Sequence, residues 1–130
     1  MLHAKGVGRR GFHFYNHHMS FWIGALDLGT QSTRFTIYDD KRKIIAQHQT
    51  PIRHKTPQPG WVEQNPQDIL DTVNYSMESV ANKLLAQELV SSLAEIPKKI
   101  RAIGLTNQRE TTILWDKHTG KPLYPAICML

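Results

Sequence analysis

Apolar and polar positions along the chain fall into a small number of blocks with different periods. FWIGALDLG (21–29) is a short, nearly continuous apolar run that ends at Gly29, the pattern of a buried strand. RFTIYDD (34–40) alternates Phe35 and Ile37 with Thr36 and Tyr38, and DDKRK then supplies a polar turn. KIIAQHQTPI (43–52) resumes as a third strand until Pro51 disturbs it. Three strands with short connections predict an antiparallel meander. RHKTPQPGW (53–61) reads as a loop, because Pro57, Pro59 and Gly60 interrupt regular structure. NPQDIL opens a helix: Asn65 can cap free N–H groups, Pro66 suits the first helical position, and Asp68 favours the positive end of the helix dipole. Ile69, Val73, Met77, Val80 and Leu84 then form one apolar stripe that predicts a core-facing side. The helix is expected to reach about residue 90, with SSLAEIPKK closing it before Pro97. IRAIGLTNQ (100–108) reads as another buried strand carrying Ile100, Ile103 and Leu105. TTILWD (111–116) reads as a strand, KHTGK turns the chain at Gly120, and PLYPAICML (122–130) begins one more.

A βββαβ order with a polar loop after the first strand does not fit an ordinary doubly wound sheet. It fits an α/β ribonuclease-H-like half of an actin-like ATPase fold, in which the first two strands form a hairpin around phosphate.

That hairpin draws attention to GALDLGTQSTR (24–34), where an apolar strand ends in an acid, a glycine and several hydroxyls. A tight turn between two strands can aim backbone N–H groups at one point and so form an anion nest. Gly29 has no Cβ to hinder close approach. Thr30, Ser32 and Thr33 offer hydroxyl donors, Gln31 an amide, and Arg34 a guanidinium that can pair with phosphate oxygens. Asp27 at the strand end could hold Mg²⁺ directly or through water. No GxxxxGK[ST] is present, so any phosphate is handled without a Walker lysine. The same letters also suit a polar hairpin whose hydroxyls bond their own backbone.

A second polar cluster follows a strand at GLTNQRETTILWD (104–116). Open α/β sheets place ligands at the carboxyl ends of strands. There Arg109 can donate to hydroxyl oxygens and Glu110 can accept from hydroxyl hydrogens, which together would read a polyol. An exposed Arg–Glu loop pair, worth at most about 1 kcal/mol, is the plain alternative.

Charge and composition narrow the field further. Lys5, Arg9 and Arg10 supply +3 of the net charge of +5 within residues 1–18, where there is no acid. The basic character thus sits in a leader, and the rest lacks the extended basic face expected of a nucleic-acid binder. No run approaches the roughly 18 apolar residues of a membrane span. One cysteine, Cys128, allows no internal disulfide and suits a reducing, cytoplasmic setting as an inert thiol. Residues 1–20 read as a disordered extension or upstream start, ahead of a mitochondrial targeting segment, which would carry serines and amphipathic spacing. GVGRRG (6–11) matches GxGxxG by letter but has no preceding strand. His13, His17 and His18 have no accompanying carboxylate or cysteine and suggest only adventitious metal binding. The sequon NYS (74–76) lies mid-helix and is set aside.

ALDLGTQSTR, GWVEQNP and IGLTNQRETTILWDKHTGKPLYPAI, in that order and spacing, resemble the amino-terminal part of the glycerol kinases in the FGGY carbohydrate-kinase family. The resemblance covers roughly residues 23–127 and makes 21–130 an incomplete amino-terminal kinase domain. It implies that Asp27 stands near Mg²⁺, that Thr30, Gln31 and Ser32 contact phosphate, and that Arg34 contacts the nucleotide. The family usually has threonine or serine where Gln31 stands. Arg109 and Glu110 match the pair that holds glycerol hydroxyls. The implied reaction is ATP plus glycerol giving ADP and glycerol 3-phosphate by in-line transfer.

The family's general base, the rest of its polyol site and its adenine-holding domain lie further along than residue 130, and the last three residues, CML, depart from its pattern. The expectation is therefore a chain without turnover of its own. Alternatives are a non-catalytic module that associates with a full-length kinase subunit, a nucleotide-binding remnant, or a kinase of another small polyol or sugar.

Overall fold

The computed structural model describes residues 20–129. The expected leader, the GVGRRG segment and the histidine cluster therefore lie outside the described residues, apart from Ser20.

Three consecutive strands, β1 (Trp22–Leu28), β2 (Ser32–Tyr38) and β3 (Ile44–Pro51), form the expected antiparallel meander. The second turn is fixed by Asp39, whose carboxylate accepts from the backbone N–H groups of Lys41 (2.9 Å) and Lys43 (2.8 Å). A short strand, β4 (Val62–Gln64), precedes the helix α1 (Pro66–Ala86). Asn65 caps α1 by accepting from the Gln67 N–H at 3.1 Å, and its own amide donates to Asp68 at 2.8 Å. A 3₁₀ turn (Leu93–Glu95) and a single helical turn, α2 (Ile96–Lys99), lead into β5 (Ile100–Thr106). The last strand is β6 (Ala126–Cys128), which contains the buried thiol of Cys128.

The main sheet has the order β3-β2-β1-β5, with β5 parallel to β1. This is the arrangement of the ribonuclease-H-like, actin-like ATPase half: an antiparallel meander whose first strand gains a parallel neighbour after a helical crossover. Helix α1 covers β2 and β3, and Phe35, Ile37, Val80 and Leu84 make the centre of the core with Trp22 and Leu26. On β1 the chain must pass close to its neighbours at Gly24. A Cβ there would lie 3.0 Å from Ile103 and 3.2 Å from the Phe35 ring.

Several expectations are corrected. The helix ends at Ala86, not near residue 90. Glu88 takes a left-handed φ of 56°, and its N–H bonds Leu85 while the Leu89 N–H bonds Leu84. That is a Schellman closure made without glycine, so the usual C-terminal mark is missing from the sequence. Pro97 does not terminate a helix; it sits in the first turn of α2, where its missing N–H costs nothing. The helix's sheet-facing row is Thr72, Ser76, Val80 and Leu84. Met77 is exposed, and Ile69 and Val73 are only half-buried. The small hydroxyl residues win those positions because Thr33 and Thr50 on the strands bond them, at 2.8 Å to Thr72 and 2.7 Å to Ser76.

β5 forms as expected, but Ile103 and Leu105 are 47% and 63% exposed. Among the described residues nothing covers these two side chains, since α1 packs over β2 and β3. TTILWD forms no strand. It makes two isolated bridges, Thr112 to Ile127 and Trp115 to Pro122, while Leu114 and Trp115 stay exposed. The second sheet pairs β4 with β6 and was not anticipated. Three residues are too few for alternation to show in the sequence. No helix among the described residues is long and apolar enough to cross a membrane.

Candidate active-site cleft

β1 runs down the middle of the sheet and delivers Asp27 near its end, exposed. The parallel register sets Thr106 of β5 beside it, and the Thr106 hydroxyl donates to Asp27 Oδ1 at 2.8 Å. One carboxylate oxygen is thereby oriented, and the other has no hydrogen-bond partner among the described residues.

The turn after β1 is tight. The Gly29 N–H donates to the Ser32 carbonyl at 3.0 Å, and a Cβ on Gly29 would lie 3.1 Å from that same oxygen. Glycine is needed here for closeness. The turn's carbonyls are also held: Ile52 N–H donates to Gln31 O at 2.9 Å, and Gln64 Nε2 donates to Thr30 O at 2.6 Å. With the Gly29 amide committed to closing the turn, the N–H groups of Thr30 and Gln31 remain without a partner among the described residues. The candidate anion nest is therefore narrower than the sequence suggests.

The second polar cluster follows β5 directly. Asn107 to Glu110 form a turn in which Glu110 takes a left-handed φ of 67°. For a residue with a Cβ this costs on the order of 1 kcal/mol, and such strain concentrates at binding sites. Gln108 steadies the turn by accepting from the Thr111 hydroxyl at 2.8 Å and donating to Gln64 Oε1 at 3.0 Å.

The two clusters face one cleft of about 410 Å³, lined by Asp27, Gly29 and Thr30 on one wall and by Asn107, Arg109 and Glu110 on the other. Parallel pairing accounts for this, because β1 and β5 end on the same side of the sheet. A larger groove of about 600 Å³ on the helix side is almost wholly apolar, from Phe35 and Ile37 to Ile96 and Ile103. It offers no constellation for chemistry.

The N-terminal domain of the FGGY family of carbohydrate kinases matches residues 22–130. The chain belongs to that family. It is 43% identical over 109 residues to a probable glycerol kinase of Dictyostelium discoideum, with 84% of this chain and 19% of that protein covered. It is 47% identical over 105 residues to a glycerol kinase of Alteromonas mediterranea, with 81% and 19% covered. Its fold superposes on a crystal structure of Plasmodium falciparum glycerol kinase with ADP at a TM-score of 0.62 and 32% identity. That match covers 84% of this chain and 20% of the other. The chain thus spans about a fifth of the length of the relatives it matches.

Within this FGGY domain the expected site residues divide into two groups. Asp27, Thr30, Arg109 and Glu110 line the common cleft. Gln31 is exposed in the turn but does not line it. Ser32 and Arg34 are tied to β3: Arg34 Nη2 donates to Gln49 Oε1 at 2.9 Å, and Gln49 Nε2 donates to Ser32 Oγ at 2.7 Å. Arg34 lines a separate polar groove with Gln47, His48 and Lys83. The Thr33 hydroxyl, expected as a donor to phosphate, is fully buried against Thr72. Strand alternation turns it to the core side.

Gln64 is the residue that sequence reasoning missed. It is 2% exposed, yet it bonds both walls of the cleft. A glutamine beside a helix cap carries no sequence mark of a buried bridge. Its neighbour Glu63 is also buried and accepts from the Tyr124 hydroxyl at 3.0 Å. That hydrogen bond, and then the Glu63 charge, raise the phenol above its ordinary value of 10.0.

The donor set fits Mg²⁺. Asp27 presents one oxygen without a protein partner, and no group of three His, Cys, Asp or Glu residues among the described residues forms a closed metal cage. A hard cation that keeps most of its water and shares one carboxylate with ligand phosphates suits such a place.

Proposed function

We propose that this domain supplies the phosphate-holding and polyol-holding walls of an ATP-dependent glycerol kinase, which forms glycerol 3-phosphate. The observation that carries this reading is the common cleft, with Asp27 and Thr30 facing Arg109 and Glu110. The 42–47% identity to glycerol kinases from several organisms supports glycerol over other polyols.

Each group has a defined task in this reading. The amides of Thr30 and Gln31, with the Thr30 hydroxyl, hold phosphate oxygens of the nucleotide. Ser32 and Arg34 would serve the nucleotide from the adjoining strand once released from Gln49. Asp27 would hold Mg²⁺, which supplies charge neutralisation for the transferring phosphoryl group. Arg109 donates to glycerol oxygens while Glu110 accepts from its hydroxyl hydrogens, which fixes the orientation of the nucleophilic hydroxyl. Positioning and charge neutralisation supply most of the rate in phosphoryl transfer. Turnover is proposed for the complete kinase, working in the cytoplasm. There the sheet edge at β5, uncovered among the described residues, would let the domain associate with a full-length kinase subunit.

The test is a residue-resolved NMR titration of the 130-residue chain with MgADP and with glycerol. MgADP is expected to shift the amides of Thr30 and Gln31. Asp27→Asn should weaken that binding about tenfold, the equivalent of one charge-assisted contact. Glycerol should shift residues 108–110 in the unmutated chain and not in Arg109→Ala. An absence of shifts at 29–32 with millimolar MgADP would sink the proposal.

A further inference from the structure

We propose that Gln64 is a positioning residue that couples the two walls of the cleft, so that the state of the phosphate turn is transmitted to the polyol loop. The kinetic meaning of this coupling rests on the function proposed above, whereas the coupling itself does not.

Three hydrogen bonds run in series from one wall of the cleft to the other. Gln64 Nε2 donates to the Thr30 carbonyl at 2.6 Å, Gln108 Nε2 donates to Gln64 Oε1 at 3.0 Å, and the Thr111 hydroxyl donates to Gln108 Oε1 at 2.8 Å. A backbone carbonyl can only accept, so Thr30 fixes which end of the Gln64 amide faces it. That leaves the Gln64 oxygen for Gln108, and the Gln108 oxygen for Thr111. One carbonyl in the turn thus sets the polarity of three consecutive bonds across to the loop.

The burial is equally specific. Gln64 is 2% exposed and lies on β4, opposite the fully buried Ala126 of β6, next to the helix cap at Asn65. It is held from both sides by secondary structure and has little freedom to rotate. Chains of hydrogen bonds in such low-dielectric surroundings polarise one another, and a broken member leaves its neighbours unsatisfied. The Thr30 carbonyl and the Gln31 N–H belong to one peptide plane, so a ligand that draws on the Gln31 N–H also shifts that carbonyl. Gln64 passes that displacement to Gln108, which neighbours Arg109.

The link can be read without any ligand. In the 130-residue chain, Gln108→Ala is expected to move the amide resonances of residues 29–32. In a Gln64→Met background, which keeps side-chain length and removes both hydrogen-bonding groups, the same change should leave them unmoved. Equal movement with and without Gln64, or none in either, would overturn the proposal. Independently of any variant's folding, the Gln64 Nε2 protons should exchange with solvent more slowly than those of exposed Gln87. Equal rates would also overturn it.

MgADP adds the readout that a merely structural role would not move. Thr111 does not line the cleft, so its MgADP-induced shift in the unmutated chain should vanish in Gln64→Met while the shift at Thr30 remains. Persistence of the Thr111 response in Gln64→Met would defeat the coupling and leave the kinase reading standing. A turn that ignores MgADP in the unmutated chain would defeat the kinase reading, and the Gln108→Ala comparison would still decide the coupling.

Discussion

Thr33 is completely buried on β2, and its hydroxyl meets that of Thr72 at 2.8 Å. Thr72 has one hydroxyl proton and gives it to the Ile69 carbonyl at 2.7 Å, so Thr33 must be the donor in the threonine pair. The two members are therefore unequal. Thr72→Val strands the Thr33 proton in the core and should lower stability by about 1–3 kcal/mol, while Thr33→Val removes only one of Thr72's partners and should cost less. Denaturant unfolding of both variants measures the difference, and equal losses would contradict the assignment. The cleft residues differ from this pair in how openly the sequence displays them. Asp27 stands out because a charge interrupts an apolar run, and Arg109 and Glu110 because they sit in a polar cluster that directly follows a strand. Thr33 and Gln64 do not, because what they do depends on partners 39 and 34 residues away. A local sequence window contains no trace of such partners.

At the scale of elements, the start of α1 was legible to the residue, since Asn65, Pro66 and Asp68 each act locally. Its end was not. Glu88 occupies a left-handed conformation that glycine would take with less strain, and the chain pays no visible compositional signal for it. Glu88→Gly should raise stability by about 1 kcal/mol, measured by thermal or urea unfolding, because the Schellman bonds to Leu84 and Leu85 stay in place. A loss of stability would mean that Glu88 makes an interaction beyond its backbone. The failed strand at 111–116 has a related cause. Its apolar residues favour a strand, yet the segment makes only two bridges among the described residues while Asp116 organises the next turn. Asp116 accepts from the backbone and side chain of Thr119 and from the His118 N–H, and these bonds hold its carboxyl below the usual carboxylate value of 3.8. Turn chemistry outcompeted strand propensity there.

For the molecule as a whole, strand order and the position of the cleft followed from the succession of elements, because a hairpin, a third strand and a helical crossover leave few ways to close the sheet. Burial did not follow, since it depends on what lies over each face. With Ile103 and Leu105 exposed beside the apolar groove, the 130-residue chain is expected to self-associate. Leu105→Lys, opposite Leu26 in the register, removes apolar surface worth about 1.5–3 kcal/mol. It should raise the concentration needed for association about tenfold or more in analytical ultracentrifugation. A monomer that melts sharply at every concentration would contradict this.

Parallel pairing of β5 with β1 also determines where this protein tolerates changes in length. Because Thr106 meets Asp27 only through that ladder, deleting one residue within 100–106 would invert the facing of every side chain beyond it and uncouple the two cleft walls. A residue added to the irregular connection around 90–92 leaves the ladder in step. Variation in length among natural versions of this domain should therefore gather in the crossover and spare the strand.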